Sequence, residues 1–180
     1  MVKRLNYQSL SSFAKGRPLV GDAISRWPPQ PIDFSEALDV ADMKAEHRKL
    51  AAISEGGVVC WEKFDIVDFG AMMPSIALLD CVSGENGERD FQYGYVGESI
   101  NEIAQRPLRG IRLGDVLVGE AKQQIIEEYT AAIDGREPRA SIGQVTISDD
   151  LDWVHYMRFL YPVRRDGEVN RVLLFMLFAL

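Results

Sequence analysis

Apolar and aromatic residues recur in three runs along the last part of the chain, and short polar segments separate the runs. These runs predict three strands, Arg139 to Ile147, Leu151 to Val163 and Val169 to Phe178. Tight turns are predicted at Ser148 to Asp150 and at Arg165 to Gly167. Because both connections are short, we expect the three strands to be antiparallel neighbours in one sheet.

An earlier β-hairpin is indicated before the middle of the chain. The apolar run SIALLDCV after Pro74 is typical of a buried strand, and Asp90 to Val96 has the pattern of a second one. Gly84, Asn86 and Gly87 lie in the connection, where they favour a turn.

The first helix is predicted from Ser35 to Ser54, where apolar residues recur at helical spacing. Asp33 and Glu36 have the spacing of a capping box at its start. The glycines that follow, at positions 56 and 57, are suited to a left-handed stop.

Two more helices are predicted between the two groups of strands. The segment ESINEIAQ gives a short helix, and Val118 to Asp134 has the period of a longer one, ended by Gly135. Helices collected between two runs of strands argue for an α+β domain with helices packed on one face of an antiparallel sheet.

The last strand is apolar on both of its faces. Val172, Leu174 and Met176 lie on one face, and Leu173 and Phe175 lie on the other. A half-exposed strand would alternate with polar residues, so both faces must be covered. The outer cover is either the helix Ser35 to Ser54 or a second copy of the chain, and we favour the helix, with a symmetric dimer arranged around it.

The chain therefore divides into an irregular basic, proline-rich arm (1–34), an N-terminal helix (35–57) and one α+β domain (58–180). The net charge of −7 disfavours a nucleic-acid surface, which needs a positive field. The longest apolar run is about half of what a spanning helix needs, so we expect a soluble, cytoplasmic protein without membrane insertion. Cys60 and Cys81 lack metal-ligand spacing and are expected to be buried thiols.

Five segments, taken in order, resemble the PAS sensor fold and are most similar to a PAS subfamily common in alphaproteobacteria. They are ALLDC after Pro74, FQYGYVG from Phe91, RPLRGIRLGDV from Arg106, EEY in the long helix, and FLYPVRRDGEVNRVLLF near the end. The resemblance covers Trp61 to Phe178 and implies a PAS-like five-stranded antiparallel sheet.

The resemblance also implies a regulatory role, a pocket between sheet and helices, and dimerisation through the helix before the domain. It brings no catalytic residues. The chain departs from the family pattern at Gly94, where a second basic residue is usual, at Glu98, where a small hydroxyl residue is usual, and at 107–110, where an Asp-x-Thr-Gly turn is usual.

Candidate pocket residues come from the strand Leu151 to Val163. Its alternation sets Trp153, His155 and Met157 on one face and Tyr156 and Arg158 on the other. If the first face points at the helices, Trp153 and His155 line the cavity and His155 is the titratable group there. The alternative is an imidazole at a sheet surface or a dimer seam. Tyr95 is placed near the same pocket, although an aromatic stripe with Phe91 and Tyr93 is usually core packing.

A candidate anion site consists of Arg106, Arg109 and Arg112, which are spaced by three around Gly110. Guanidinium groups there could bind a carboxylate or phosphate, and the alternative is a solvated loop with scattered arginines.

No cofactor is named by the sequence. PAS sensors with histidine-ligated haem carry that histidine on the long helix, and Val118 to Asp134 has none. The flavin-photosensor branch needs a cysteine in the helix after the second strand, where this chain has ESINEIAQ, so both cofactors are disfavoured.

The leading hypothesis is a stand-alone PAS-type sensory or regulatory protein that binds a small ligand, a separate output protein, or both. An enzymatic alternative is a small cone-shaped α+β isomerase or hydrolase that uses a carboxyl or phenol in a cavity. Against it, the only histidines are His47 and His155, and no Ser-His-Asp order, metal-ligand cluster or phosphate loop is found. A ligand-free interaction adaptor is the third hypothesis.

Overall fold

A mixed sheet forms the centre of the molecule, whose computed structural model describes residues 29–84, 86–117, 119–146 and 153–179. Five long antiparallel strands are β4 (Ile76–Ser83), β5 (Arg89–Val96), β6 (Arg139–Thr146), β7 (Trp153–Arg165) and β8 (Glu168–Ala179). They lie in the spatial order β6-β7-β8-β4-β5. Three short strands join the sheet, namely β1 (Gln30–Ile32), β2 (Ser54–Glu55) and β3 (Val58–Cys60).

Helices cover both faces of this sheet. Their bounds are α1 (Phe34–Val40), α2 (Lys44–Ala52), α3 (Glu98–Ala104), α4 (Leu113–Val116) and α5 (Gly119–Gly135), with 3-10 turns at Trp61–Lys63 and Ile66–Ser75. We call the face covered by α3, α4 and α5 the inner face, and the face covered by α1, α2 and the 3-10 turns the outer face.

The predicted fold class is confirmed. The domain is α+β, with five long antiparallel strands and helices in the predicted order of elements. The long helix buries Ile125, Tyr129 and Ile133 against the inner face, as its apolar period indicated.

The N-terminal helix differs from the prediction, because Ser35 to Ser54 forms two helices instead of one. The predicted cap is present: the Asp33 carboxylate accepts a hydrogen bond from the Glu36 backbone N–H at 2.8 Å. The break comes at Asp42, whose φ of 52° is left-handed. The Met43 N–H then bonds to the Leu38 carbonyl at 2.9 Å, which closes the end of α1.

The predicted arm is also more ordered near its end than expected. Residues 30–32, assigned to the irregular arm, form the edge strand β1 and pair with 140–142 of β6. Pro31 is compatible with this position because an edge strand leaves one side of its backbone without a partner. The arm residues 1–28, including Trp27, lie outside the described part of the chain.

The cover of the outer face agrees with the prediction. Leu173 and Phe175 pack in one apolar cluster with Leu38 of α1 and Leu50 of α2. Phe69, in the 3-10 turn, meets Phe175 edge to face with ring centres 5.7 Å apart. The chain's own segments therefore cover the second apolar face of β8, and the symmetric dimer stays a prediction.

Candidate functional site

The two faces of β7 point at different helical layers, which decides where the predicted pocket residues lie. Met157 and Phe159 are buried with α1 and α2 in the apolar cluster of the outer face, which we call the outer cluster. Val154, Tyr156 and Leu160 are buried with α3 and α5 in the apolar cluster of the inner face, which we call the inner cluster. The even-numbered residues of β7 therefore face α3 and α5, whereas Met157 and Phe159 face α1 and α2. A ligand pocket lined by Trp153 and His155 remains a prediction.

His155 lies half-buried beside its cross-strand neighbour Gln144, whose amide nitrogen is 3.2 Å from the imidazole. Burial lowers the pKa of His155. Met157 is fully buried on the outer face. The side chain of Trp153 lies outside the described part of the structure.

Tyr95 is also on the outer face, because a bulge reverses the alternation of β5. Leu79 pairs with Tyr93 but Leu78 pairs with Tyr95, so Gly94 is the extra residue. Tyr93 therefore packs in the inner cluster, whereas Tyr95 packs against the outer one and donates to the Met73 carbonyl at 3.4 Å.

The structure does not bring these predicted pocket residues together. β8 and β4 separate β7 from β5, so Tyr95 is about 14 Å across the sheet from His155 and Met157, at about 4.8 Å a strand. Ligand binding by any of them remains a prediction.

The arginine loop lies along the edge strand β5. Backbone bonds join Gly110 N–H to the Tyr93 carbonyl at 2.7 Å and Tyr93 N–H to the Ile111 carbonyl at 3.0 Å. Arg112 forms an ion pair with Asp115 at 3.5 Å, and Arg106 and Arg109 are exposed. The loop thus caps the edge of the sheet, and its binding of an anion remains a prediction.

A buried charge lies at the centre of the inner face, where the sequence analysis placed no site residue. Arg158 of β7 is only 2 % exposed, and its guanidinium forms an ion pair with Glu128 of α5. Its Nε donates to the Ser141 hydroxyl of β6 at 3.1 Å. We call Arg158, Glu128, Ser141, Tyr129 and Tyr156 the Arg158 site.

Aromatic rings surround the guanidinium of Arg158. Its central carbon is 5.2 Å from the ring centre of Tyr129 and 5.9 Å from that of Tyr156, both within range for cation–π attraction. Burial raises the pKa of Tyr129 to about 12 and raises the pKa of Tyr156 as well. These phenols therefore stay neutral and can donate hydrogen bonds throughout the physiological range.

The charges in the Arg158 site are balanced but their hydrogen bonding is incomplete. Burial by itself lowers the pKa of Arg158, and the Glu128 carboxylate outweighs this so that the pKa is raised. Glu128 Oε1, by contrast, is buried and has no hydrogen-bond partner among the described residues. A buried ion pair recovers its desolvation cost only when its remaining hydrogen bonds are satisfied. A gain in folding stability therefore does not account for the presence of this pair.

The sequence did contain a sign of this site. Arg158 interrupts an apolar strand between Tyr156 and Leu160, and such a charge has to find a buried partner. Its partner could not be identified, because Glu128 is 30 residues away on the long helix, beside the equally acidic Glu127.

A smaller polar contact lies on the outer face. The His47 Nδ1 of α2 is hydrogen-bonded to the Tyr161 hydroxyl of β7 at 3.2 Å, and burial lowers the pKa of this histidine. Phe34 of α1 meets both rings edge to face. Among the residues that the structure describes, no group of three His, Cys, Asp or Glu side chains is arranged to hold a metal ion.

Comparisons with known proteins add little to this geometry. No family model matches the chain, and no curated protein matches it. A solved structure of an RNA-binding light-oxygen-voltage receptor is similar over 89 % of this chain at 15 % sequence identity, with a TM-score of 0.38. The chain spans 36 % of the length of that receptor. Within the described ranges, none of the helices has the length and apolar character to cross a membrane.

Proposed function

We propose that this protein is a PAS-type sensory or regulatory protein that acts by binding, without turnover. Its signal is a small molecule bound between the sheet and α5, and its output is a changed contact with a separate protein. The observation that carries the proposal is the buried Arg158–Glu128 ion pair, which joins the sheet to the long helix.

A buried charge pair supports a sensory function because its burial costs desolvation free energy, which is recovered only while both charges are paired. It is favourable only while both partners are in place, so a ligand that competes for one partner changes the energy of the whole helix–sheet contact. An apolar pair of the same volume would stabilise the core equally well or better, without this sensitivity.

β7 supplies a short route from this pair to the outer face. Arg158 is followed by Phe159, whose ring is 5.8 Å from that of Phe34 in α1. Two residues further on, Tyr161 is hydrogen-bonded to His47 of α2. A shift of β7 at Arg158 would therefore change how α1 and α2 pack on the sheet. We propose that α1 and α2 are the region that contacts the output protein and a second protomer.

Native mass spectrometry tests the proposal, because it reports subunit count and any retained small molecule together. We expect the gently purified full chain to appear as a dimer with extra mass that disappears on denaturation. The matched control is the double variant Arg158→Met with Glu128→Leu, which removes the charge pair and keeps the volume apolar. Retention of the same mass by this control, or a bare wild-type protein, would contradict ligand sensing at this site.

A further inference from the structure

We propose that Arg158 binds the carboxylate of a small organic acid, and that Glu128 takes the place of this carboxylate when no ligand is bound. The inference rests on the proposed sensory function and assigns a chemical class to its ligand. The step is an exchange of one carboxylate for another at the same guanidinium, with no covalent change.

Arg158 is positioned independently of Glu128. The hydrogen bond from its Nε to Ser141 holds the guanidinium to the neighbouring strand, and the rings of Tyr129 and Tyr156 lie within 6 Å of it. Ser141 and Tyr156 belong to the sheet, whereas Glu128 and Tyr129 belong to α5. The arginine can therefore keep its place when Glu128 leaves.

Glu128 is an incomplete partner for this arginine. Its Oε2 accepts from the guanidinium, but its Oε1 is buried with no hydrogen-bond partner among the described residues. A free carboxylate can orient both oxygens toward donors, because a guanidinium and a carboxylate pair best through two parallel hydrogen bonds. The unpaired oxygen is the part of the contact that a ligand can improve.

The route for the exchange is short. The Glu128 side chain is 10 % exposed, against 3 % for Arg158, and the next residue on α5, Glu127, is exposed. A change of side-chain rotamer together with a small shift of α5 would bring the Glu128 carboxylate into water, where it is stable as an anion.

The charge of the site favours a single negative charge on the ligand. One glutamate leaves and one carboxylate enters, so the buried net charge is unchanged. The phenols of Tyr93, Tyr129 and Tyr156 line the same inner cluster, and burial raises the pKa of each. Neutral phenols can donate to the ligand, but they do not supply the second cation that a doubly charged phosphate needs.

The first test is chemical rescue of a Glu128→Ala variant of the full chain. The substitution removes the internal carboxylate, and sodium acetate is added as the probe, with sodium chloride at equal ionic strength and acetamide as controls. We expect acetate to raise the melting temperature of this variant in a saturable manner, and the controls to have no such effect. Glu127→Ala, which removes the same group from an exposed neighbouring position, should show no acetate-specific change.

The arginine dependence of the rescue is tested by the double variant Arg158→Met with Glu128→Ala, which should lose the response to acetate. An equal response in this variant would overturn the proposal. If Glu128→Ala does not fold, Glu128→Gln keeps the shape of the side chain and is titrated with acetate by NMR, with the amide resonances of β7 as the readout.

Wild-type protein should bind the same probe at least tenfold more weakly than either Glu128 variant, because acetate has to displace Glu128. A folded variant without saturable acetate binding would overturn the inference. Equal affinity in wild type and variant would also overturn it, since Glu128 would then not compete. A retained ligand without an acid group would contradict this inference and leave the sensory function intact. Acetate binding at Arg158 that leaves the amide resonances of α1 and α2 unchanged would support this inference and contradict the proposed route from Arg158 to the outer face.

Discussion

Arg171 of β8 lies over the ring of Trp61, with its central guanidinium carbon 4.7 Å from the ring centre. On the same face it pairs with Asp80 of the neighbouring strand β4. Trp61 in turn stacks on Phe64, with ring centres 5.7 Å apart. This contact joins the 3-10 turn Trp61–Lys63 to β8, in the middle of the sheet.

Replacement of Trp61 by alanine should therefore destabilise the fold. We expect a loss of about 2 kcal/mol in the free energy of unfolding, since a half-buried aromatic contact and a cation–π contact are both removed. Urea denaturation followed by circular dichroism measures this loss. Trp61→Phe keeps a ring over Arg171 and should lose less than half as much; equal losses for the two variants would mean that the ring contact contributes nothing.

The Arg158–Glu128 pair should behave as a strongly coupled unit. Arg158→Met or Glu128→Leu alone leaves a buried charge without its partner and should cost about 3–5 kcal/mol. The double variant should cost far less than the sum, because an apolar pair needs no desolvation. Unfolding free energies of the four proteins give the coupling energy, and additive losses would contradict a buried ion pair.

Acidification should destabilise the protein through its two histidines. Burial lowers the pKa of His47 and of His155, so the unfolded chain takes up protons near pH 6.5 before the folded chain does. Their contribution is complete above that pH and is lost as the pH falls toward the folded-state values. Denaturant unfolding between pH 7.5 and 5.5 should show this decrease.

The variants His47→Gln and His155→Gln test the assignment of this pH dependence. Each should flatten the curve between pH 7.5 and 5.5, and the double variant should flatten it most. An unchanged slope in the double variant would show that other groups cause the dependence.

The cover of the outer face should depend on Leu50 of α2. Its side chain is fully buried, so Leu50→Ala should cost about 2–5 kcal/mol. Val67→Ala removes methyl groups from a residue that is 69 % exposed, and it should change stability by less than about 0.5 kcal/mol. Thermal or urea unfolding compares the two variants. A small effect of Leu50→Ala would mean that α2 does not pack on β8.

Local patterns predicted the elements of this fold well, because they depend on neighbouring residues. Runs of apolar and aromatic residues bounded by turn residues located the long strands to within a few residues, and Asp33 caps its helix as its spacing with Glu36 indicated. The two apolar faces of β8 required a cover on each side, and the structure supplies both from the same chain.

Tertiary structure alone decided how these elements face one another. Alternation places His155 and Arg158 on opposite faces of β7. Because both faces are apolar, alternation does not show which face packs against which group of helices. One extra residue at Gly94 moved Tyr95 to the opposite face. The Arg158–Glu128 pair depends on long-range packing of β7 against α5, and a contact between distant segments leaves no periodic trace in the sequence.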